Sequence, residues 1–148
     1  MAIAGKQALH RSKTWDQRQI LWHIIKNSTN QDPLPIFTNS QCYYLKNKQL
    51  LSYCVISQHK TFYHLKDVYT FPEYRRQGFA GQLISQSIKT LKKPIYLLCK
   101  TALIPFYQKL GFQKTPQFPF SIKWKKIFGD VALYLSSRET YHVMVKSQ

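Results

Sequence analysis

The run Tyr74-Arg75-Arg76-Gln77-Gly78-Phe79-Ala80-Gly81-Gln82 decides how this chain is read. It follows a β-branched and aromatic segment that ends at Thr70, and it opens a stretch with helical periodicity. A strand that passes through a glycine-bearing turn into a helix makes a phosphate cradle. The first-turn N–H groups have no intrahelical acceptor, and the helix dipole adds partial positive charge. Gly78 and Gly81 let a ligand approach the backbone. Arg75 and Arg76 flank the turn, and guanidinium pairs bidentately with phosphate oxygens.

Upstream of that run, Gln41 to Leu45, Leu50 to Ser57 and Thr61 to Thr70 read as three strands. They are joined by the polar turns Lys46-Asn47-Lys48 and Gln58-His59-Lys60, the pattern of an antiparallel meander. Pro72 stops the third strand. Further upstream, Thr14 with Gln17 predicts a capping box, and the helix it starts carries Leu21, Ile24 and Ile25 to about Asn27. Residues 1–13 show no periodicity and read as loop, as does Ser28 to Pro35. Downstream, Phe79, Leu83, Ile84, Ile88 and Leu91 space a helix over about Arg76 to Leu91. Ile95 to Cys99 is a continuous apolar run, as in a buried strand. Strand, helix, strand makes a crossover unit whose strands lie parallel. A short helix over Leu103 to Leu110 stops at Gly111. Phe112 to Lys114 reads as a short strand and Thr140 to Lys146 as a last one. Between them Trp124, Phe128, Val131 and Leu135 space a helix over 121–135. Phe118, Phe120, Trp124 and Phe128 read first as core aromatics, and second as the lining of an acceptor cleft.

The chain has 148 residues, 44% of them apolar and 15% aromatic, enough for one core and one domain over 1–148. No apolar run reaches membrane-spanning length, so no membrane partner is expected, and the N-terminus lacks a secretory apolar stretch. Cytoplasmic residence follows. Cys42, Cys54 and Cys99 form no metal or disulfide spacing and read as reduced thiols, with nothing beside Cys99 to activate it as a nucleophile. The formal net charge is +16. Nucleic acid is one partner that such a charge would suit. The basic residues are scattered, however, and lysine outnumbers arginine, which suits a compositional bias or a polyanionic small ligand equally well.

Three local matches go further. Arg75-Arg76-Gln77-Gly78-Phe79-Ala80 fits the pattern Q/R-x-x-G-x-G/A. Val68 to Arg75 is a strand ending just before Pro-Glu-Tyr-Arg. Phe106-Tyr107-Gln108-Lys109-Leu110-Gly111-Phe112 fits F-Y-x-K-L-G-F, 29 residues beyond Gly78 counted at Tyr107. In this order and spacing the chain resembles the GNAT superfamily of acetyl-CoA-dependent N-acyltransferases. Residues 41–115 carry the resemblance. Residues 1–40 fit less well, because such a domain begins with a strand and none is evident before Thr14, and 116–148 match only in ending with a strand. The resemblance implies an α+β domain, a central mixed, mostly antiparallel sheet flanked by helices.

The resemblance also implies site residues. Arg75, Arg76, Gln77, Gly78, Phe79, Ala80, Gly81 and Gln82 would hold the coenzyme A pyrophosphate, chiefly through backbone N–H groups. Val68, Tyr69 and Thr70 would pair with the pantetheine arm, in a gap where their strand splays from the next. A backbone amide there would polarise the thioester carbonyl. Tyr107 would protonate the departing thiolate, a role that suits a phenol at neutral pH. For the base, the family's strand position falls near His64; Asp67 or water are alternatives, and Glu73 reads as solvated. The implied activity is transfer of an acetyl group from acetyl-CoA to a primary amine of a small molecule, peptide or protein. It would proceed by direct attack in a ternary complex, by a monomer or homodimer and without a metal. The competing readings are a non-catalytic acyl-CoA-binding module of the same fold and a basic nucleic-acid-binding protein.

Overall fold

The computed structural model describes residues 7–13, 18–27 and 39–148. In chain order the elements are β1 (Leu9–Lys13), α1 (Arg18–Asn27), β2 (Ser40–Lys46), β3 (Leu50–Gln58), β4 (Tyr63–Thr70), α2 (Phe79–Ile88), β5 (Ile95–Cys99), α3 (Ile104–Lys109), β6 (Gln113–Lys114), α4 (Phe120–Ser137) and β7 (His142–Lys146). Single 3-10 turns at Pro72–Tyr74 and Thr101–Leu103 precede α2 and α3. The strands form one sheet in the order β1-β2-β3-β4-β5-β7-β6. All neighbours are antiparallel except β4 and β5, the pair joined through α2. The meander, the crossover and the helix over the C-terminal segment therefore agree with the residue pattern.

Alternation along the strands sorts the core into two layers. One face packs Leu45, Cys54, Ile56, Leu65 and Leu97 against Leu83, Ile84 and Ile88 of α2 and Ile104 and Tyr107 of α3. Leu83 and Ile84 are fully buried, each contributing roughly 1.5–3 kcal/mol through burial. The opposite face holds two smaller clusters. Ile20 of α1 sits on Cys42, Tyr44, Tyr53 and Val55, and Ile122 of α4 sits on Phe62 and Val143.

Three expectations need correction. Residues 1–13 are not all loop, because Leu9–Lys13 forms β1, paired from Leu9 against Leu45 to Lys13 against Gln41. Its sequence, Leu-His-Arg-Ser-Lys, lacks apolar alternation; it is an edge strand held through its backbone, and polar edges are how sheets avoid further pairing. The helix after the cradle begins at Phe79, not Arg76, because Arg76 and Gly78 take left-handed φ values of 61° and 83° and shape a loop. Finally, Phe120, Trp124 and Phe128 are not core aromatics but exposed, as are Val131 and Leu135 on the same helix. The buried contact of α4 is Ile122. The Thr14/Gln17 capping box, the Ser28 to Pro35 loop and the side chains of Leu21, Ile24 and Ile25 lie outside the described residues.

Candidate active site

The sheet opens between β4 and β5. The two strands pair only at Tyr63 with Ile95 and at His64 with Tyr96. Beyond that point β5 continues to pair with β7 through Cys99, while β4 continues on β3 through Thr70. The edges of β4 and β5 that would face each other from Leu65 and Leu97 onward are therefore unpaired, and a row of backbone donors and acceptors is left open to an extended ligand.

A bulge sets the splay. Tyr53 pairs with Tyr69, and Val55 with Lys66, so Cys54 alone stands opposite Asp67 and Val68. Asp67 absorbs the extra residue at φ 51°, a left-handed conformation that Asp tolerates better than most residues. Past the bulge the strand end is well fixed. The Ser52 hydroxyl donates to the Tyr69 carbonyl at 2.8 Å and lies 2.9 Å from the Thr70 hydroxyl. Arg75 Nε donates to the Thr70 carbonyl at 3.0 Å, and its guanidinium lies over the Tyr69 ring, 5.5 Å from the centroid.

The cradle follows directly. The Gln82 N–H donates to the Gly78 carbonyl at 3.0 Å, the first bond of the α2 ladder. The N–H groups of Phe79, Ala80 and Gly81 precede that ladder and have no intrahelical acceptor. Gly78 caps the helix at φ 83° and ψ 0°, which turns the chain so that these donors meet the loop opening. The side chains of Arg76 and Gln77 are exposed, whereas the Phe79 ring is buried in the core, leaving only its backbone for a ligand. Gln82 reaches back to the Gln7 carbonyl at 3.0 Å, which ties the chain start to the cradle.

Tyr107 stands over the open part of the sheet. It is 6% exposed, edge-on to Phe106 at 5.0 Å and Phe112 at 5.9 Å. Burial pushes its phenol well above the ordinary value, and proximity to Cys99 and Cys54 adds to the effect. Tyr107 shares one core cluster with Cys99, which ends β5, and with Cys54 of β3, which faces the bulge of β4. A buried phenol held protonated there can donate to an anion that forms in the gap.

The family model described as the acetyltransferase (GNAT) domain matches residues 38–114, the span that holds the meander, the cradle and Tyr107. The chain belongs to the GNAT acetyltransferase family. No curated protein sequence matches it significantly. Among solved structures it is similar in fold to Escherichia coli ElaA, with TM-score 0.68 at 15% identity over 95% of this chain and 99% of that one. An acyl-CoA N-acyltransferase from Pseudomonas aeruginosa gives TM-score 0.66 at 16% identity over 95% and 99%. A GNAT family acetyltransferase from Elizabethkingia anophelis, solved with acetyl-CoA bound, gives 0.62 at 12% over 97% and 99%.

Placed on this GNAT fold, the site residues expected from sequence fall into two groups. Val68 to Thr70, Arg75 to Gln82 and Tyr107 come together around the β4/β5 gap. His64 does not sit beside them. It is 4% exposed and lies in the closed half of the strand pair, opposite Tyr96. Val68 lies four residues further along the strand, beyond the bulge. Cys99 is an inert thiol, buried against Met144 and pushed up to about 11 by burial. Among the described residues no group of three or more His, Cys, Asp and Glu side chains is placed to hold a metal ion.

One pair was missed. His23 of α1 places Nδ1 2.8 Å from the Tyr53 hydroxyl, and its ring packs on Tyr69 at 4.3 Å and Phe71 at 5.1 Å. It thus lies along the open half of β4, on the face opposite Tyr107. Burial, then the charge of Lys26, lowers its pKa, which favours neutral imidazole. Nothing in the local sequence marks His23, because its partner is 30 residues away. On the same face a cleft of about 520 Å³ opens beside Phe71, lined by Ile20, Tyr44, Lys46, Lys48 and Tyr74 among others.

Proposed function

We propose that this protein transfers an acetyl group from acetyl-CoA to a primary amine by direct attack in a ternary complex. The observation that carries the reading is the β4/β5 gap, with the α2 cradle at one end and Tyr107 over it. The free N–H groups of Phe79 to Gly81, with Arg76, suit a pyrophosphate, and the unpaired β4 edge at Val68 to Thr70 suits the amides of a pantetheine arm. A backbone amide at that end of β4 would polarise the thioester carbonyl.

The chemistry needs one proton accepted and one donated. As the amine nitrogen forms its bond to the carbonyl carbon, the C–S bond breaks, and Tyr107 gives its proton to the departing thiolate. The amine proton goes to a base on the opposite face. His23 is favoured over His64 there, because its ring lies along the open half of β4 rather than the closed half. Tyr53 holds the imidazole in place through its hydroxyl, 2.8 Å from Nδ1. This reading leaves the acceptor as a small molecule, a peptide or a protein.

Calorimetry with acetyl-CoA tests the first half: absence of binding at millimolar ligand sinks it. A panel of amines with detection of released thiol tests the second. Tyr107→Phe keeps the buried ring and is expected to lower turnover at least roughly 100-fold with little change in acetyl-CoA affinity. Unchanged turnover would remove the acid role. Binding without turnover on any amine would favour the non-catalytic acyl-CoA module.

A further inference from the structure

Helix α4 is apolar on two sides. One side buries Ile122 against the sheet and sets Gly129 close to the Tyr141 ring. The other side exposes Phe120, Trp124, Ile127, Phe128, Val131 and Leu135, from 43% at Ile127 to 81% at Leu135. At 100° per residue these six positions fall within an arc of about 100°, a continuous stripe about 22 Å long. Phe120 meets Trp124 edge-on at 5.8 Å, and Trp124 stacks with Phe128 at 6.0 Å, so the first half of the stripe is an ordered aromatic ladder. A run of large apolar side chains this long on a soluble surface marks something that covers it.

We propose that α4 docks the protein on an anionic lipid surface, lying in the interface rather than crossing it. Three observations choose this occupant. First, the stripe combines aromatic and aliphatic side chains with an exposed lysine at its edge, the pattern of an interfacial helix. Lys123 is exposed at the edge of the stripe, while Lys126 is paired with Asp130. Second, the chain carries a net charge of +16, which attracts an anionic surface and opposes close approach of a second copy. Third, the stripe is one helix wide. A lipid surface needs no matching partner face. Ile127 flanks the aromatic ladder, and Val131 and Leu135 extend the stripe past it; these aliphatic groups stack on no base, which separates the stripe from a single-stranded nucleic-acid platform. Trp22 of α1, on the same face of the sheet, is also exposed. No helix among the described residues is long and apolar enough to span a bilayer, consistent with a surface role for α4.

Co-sedimentation with vesicles tests this. The full chain is incubated with phosphatidylcholine vesicles and with vesicles in which one-third of the lipid is phosphatidylglycerol. Partition at least about tenfold stronger on the anionic vesicles is expected, weakening as salt rises. Trp124→Ser with Phe128→Ser removes exposed groups only, so melting stays near wild type while partition falls about tenfold or more. Lys123→Glu, with the stripe intact, lowers partition about fivefold or more. Absence of anionic-vesicle binding, equal binding to both vesicles, or an unaffected double variant overturns the proposal. So does a concentration-dependent dimer, or retention on single-stranded RNA, that the double variant abolishes in place of vesicle binding.

Discussion

Gly78 offers the sharpest single test of the cradle, because the structure separates its backbone role from its space. A Cβ built at Gly78 meets nothing within 4 Å, so Gly78→Ala meets no steric block. The whole penalty lies in the φ of +83°, which costs an L-residue about 1–2 kcal/mol. For a chain of this length each kcal/mol lowers Tm by roughly 2–4 °C, so Gly78→Ala should melt about 2–8 °C lower. Gly81→Ala is the control. Its Cβ would sit 3.9 Å from Leu110 Cδ2, an ordinary contact, inside the first turn of α2 where alanine is preferred to glycine by about 0.5–1 kcal/mol. The same chemical change should therefore lower Tm at one glycine and raise it at another three residues away.

Affinity adds a second readout. An alanine that escapes the left-handed region must rotate the peptide leading into Phe79, which turns a free N–H away from the loop opening. Loss of one hydrogen bond to a charged group costs about 1.5–3 kcal/mol, or roughly 10- to 100-fold in affinity for acetyl-CoA. Gly78→Asn, which tolerates positive φ, should lose less of both quantities. Differential scanning fluorimetry and calorimetry read the two effects separately. A higher Tm for Gly78→Ala would refute the backbone reasoning. Full acetyl-CoA affinity in Gly78→Glu, which places a carboxylate at the opening, would refute the pyrophosphate assignment.

Gly129→Ala should destabilise the protein by about 1 kcal/mol, seen as a lower urea midpoint. The new methyl meets two Tyr141 ring carbons at 3.0 Å, and overpacking of about 1–3 kcal/mol outweighs a helix-propensity gain of about 1 kcal/mol. The three cysteines are buried; burial raises Cys54 to about 12 and Cys99 to about 11, and raises Cys42 as well. An aromatic disulfide reagent at neutral pH should therefore titrate them only after guanidinium unfolding, and fast native labelling would contradict their placement. His23 has a folded pKa below its unfolded value of 6.5, so its contribution is fully present above that pH. It is lost as pH falls from there through the folded value, since the unfolded chain takes the proton first. Denaturation of wild type and His23→Gln at neutral and mildly acidic pH should show a stability gap that changes in that window, and a constant gap would count against the burial of the imidazole.

Legibility in the sequence followed the physical range of each signal. The meander was readable because its turns are short and polar and its strands aromatic and β-branched, all local properties. The crossover was readable because a helical period between two apolar strands leaves one packing solution. β1 was not readable, since an edge strand made of Leu-His-Arg-Ser-Lys is specified by its ladder with β2 and not by its own pattern. The left-handed Arg76 was hidden for a related reason. Arginine does not advertise positive φ, and only the neighbouring Gly78 hinted at the loop's shape. The His23–Tyr53 contact was beyond local reading altogether, because it joins a helix to a strand across 30 residues.

The most instructive difference is α4. Helical spacing of Trp124, Phe128, Val131 and Leu135 located the helix to within two residues, yet placed the wrong side inward. Periodicity reports that apolar groups share a face, and is silent on what that face meets. The deciding residues were Ile122 and Gly129. Gly129 lies 3.0 Å, measured from a built Cβ, from a tyrosine ring, so only a glycine lets that side of the helix come this close to Tyr141. Close approach on one side fixes the helix rotation and forces the six larger groups outward. Gly129 is thus the residue that turns the aromatic ladder toward solvent. That geometry makes the lipid-surface proposal depend on Gly129 as much as on Trp124. Gly129→Leu, too large for the Tyr141 contact, should rotate or detach α4 and change vesicle partition together with stability, whereas Trp124→Ser with Phe128→Ser should change partition alone.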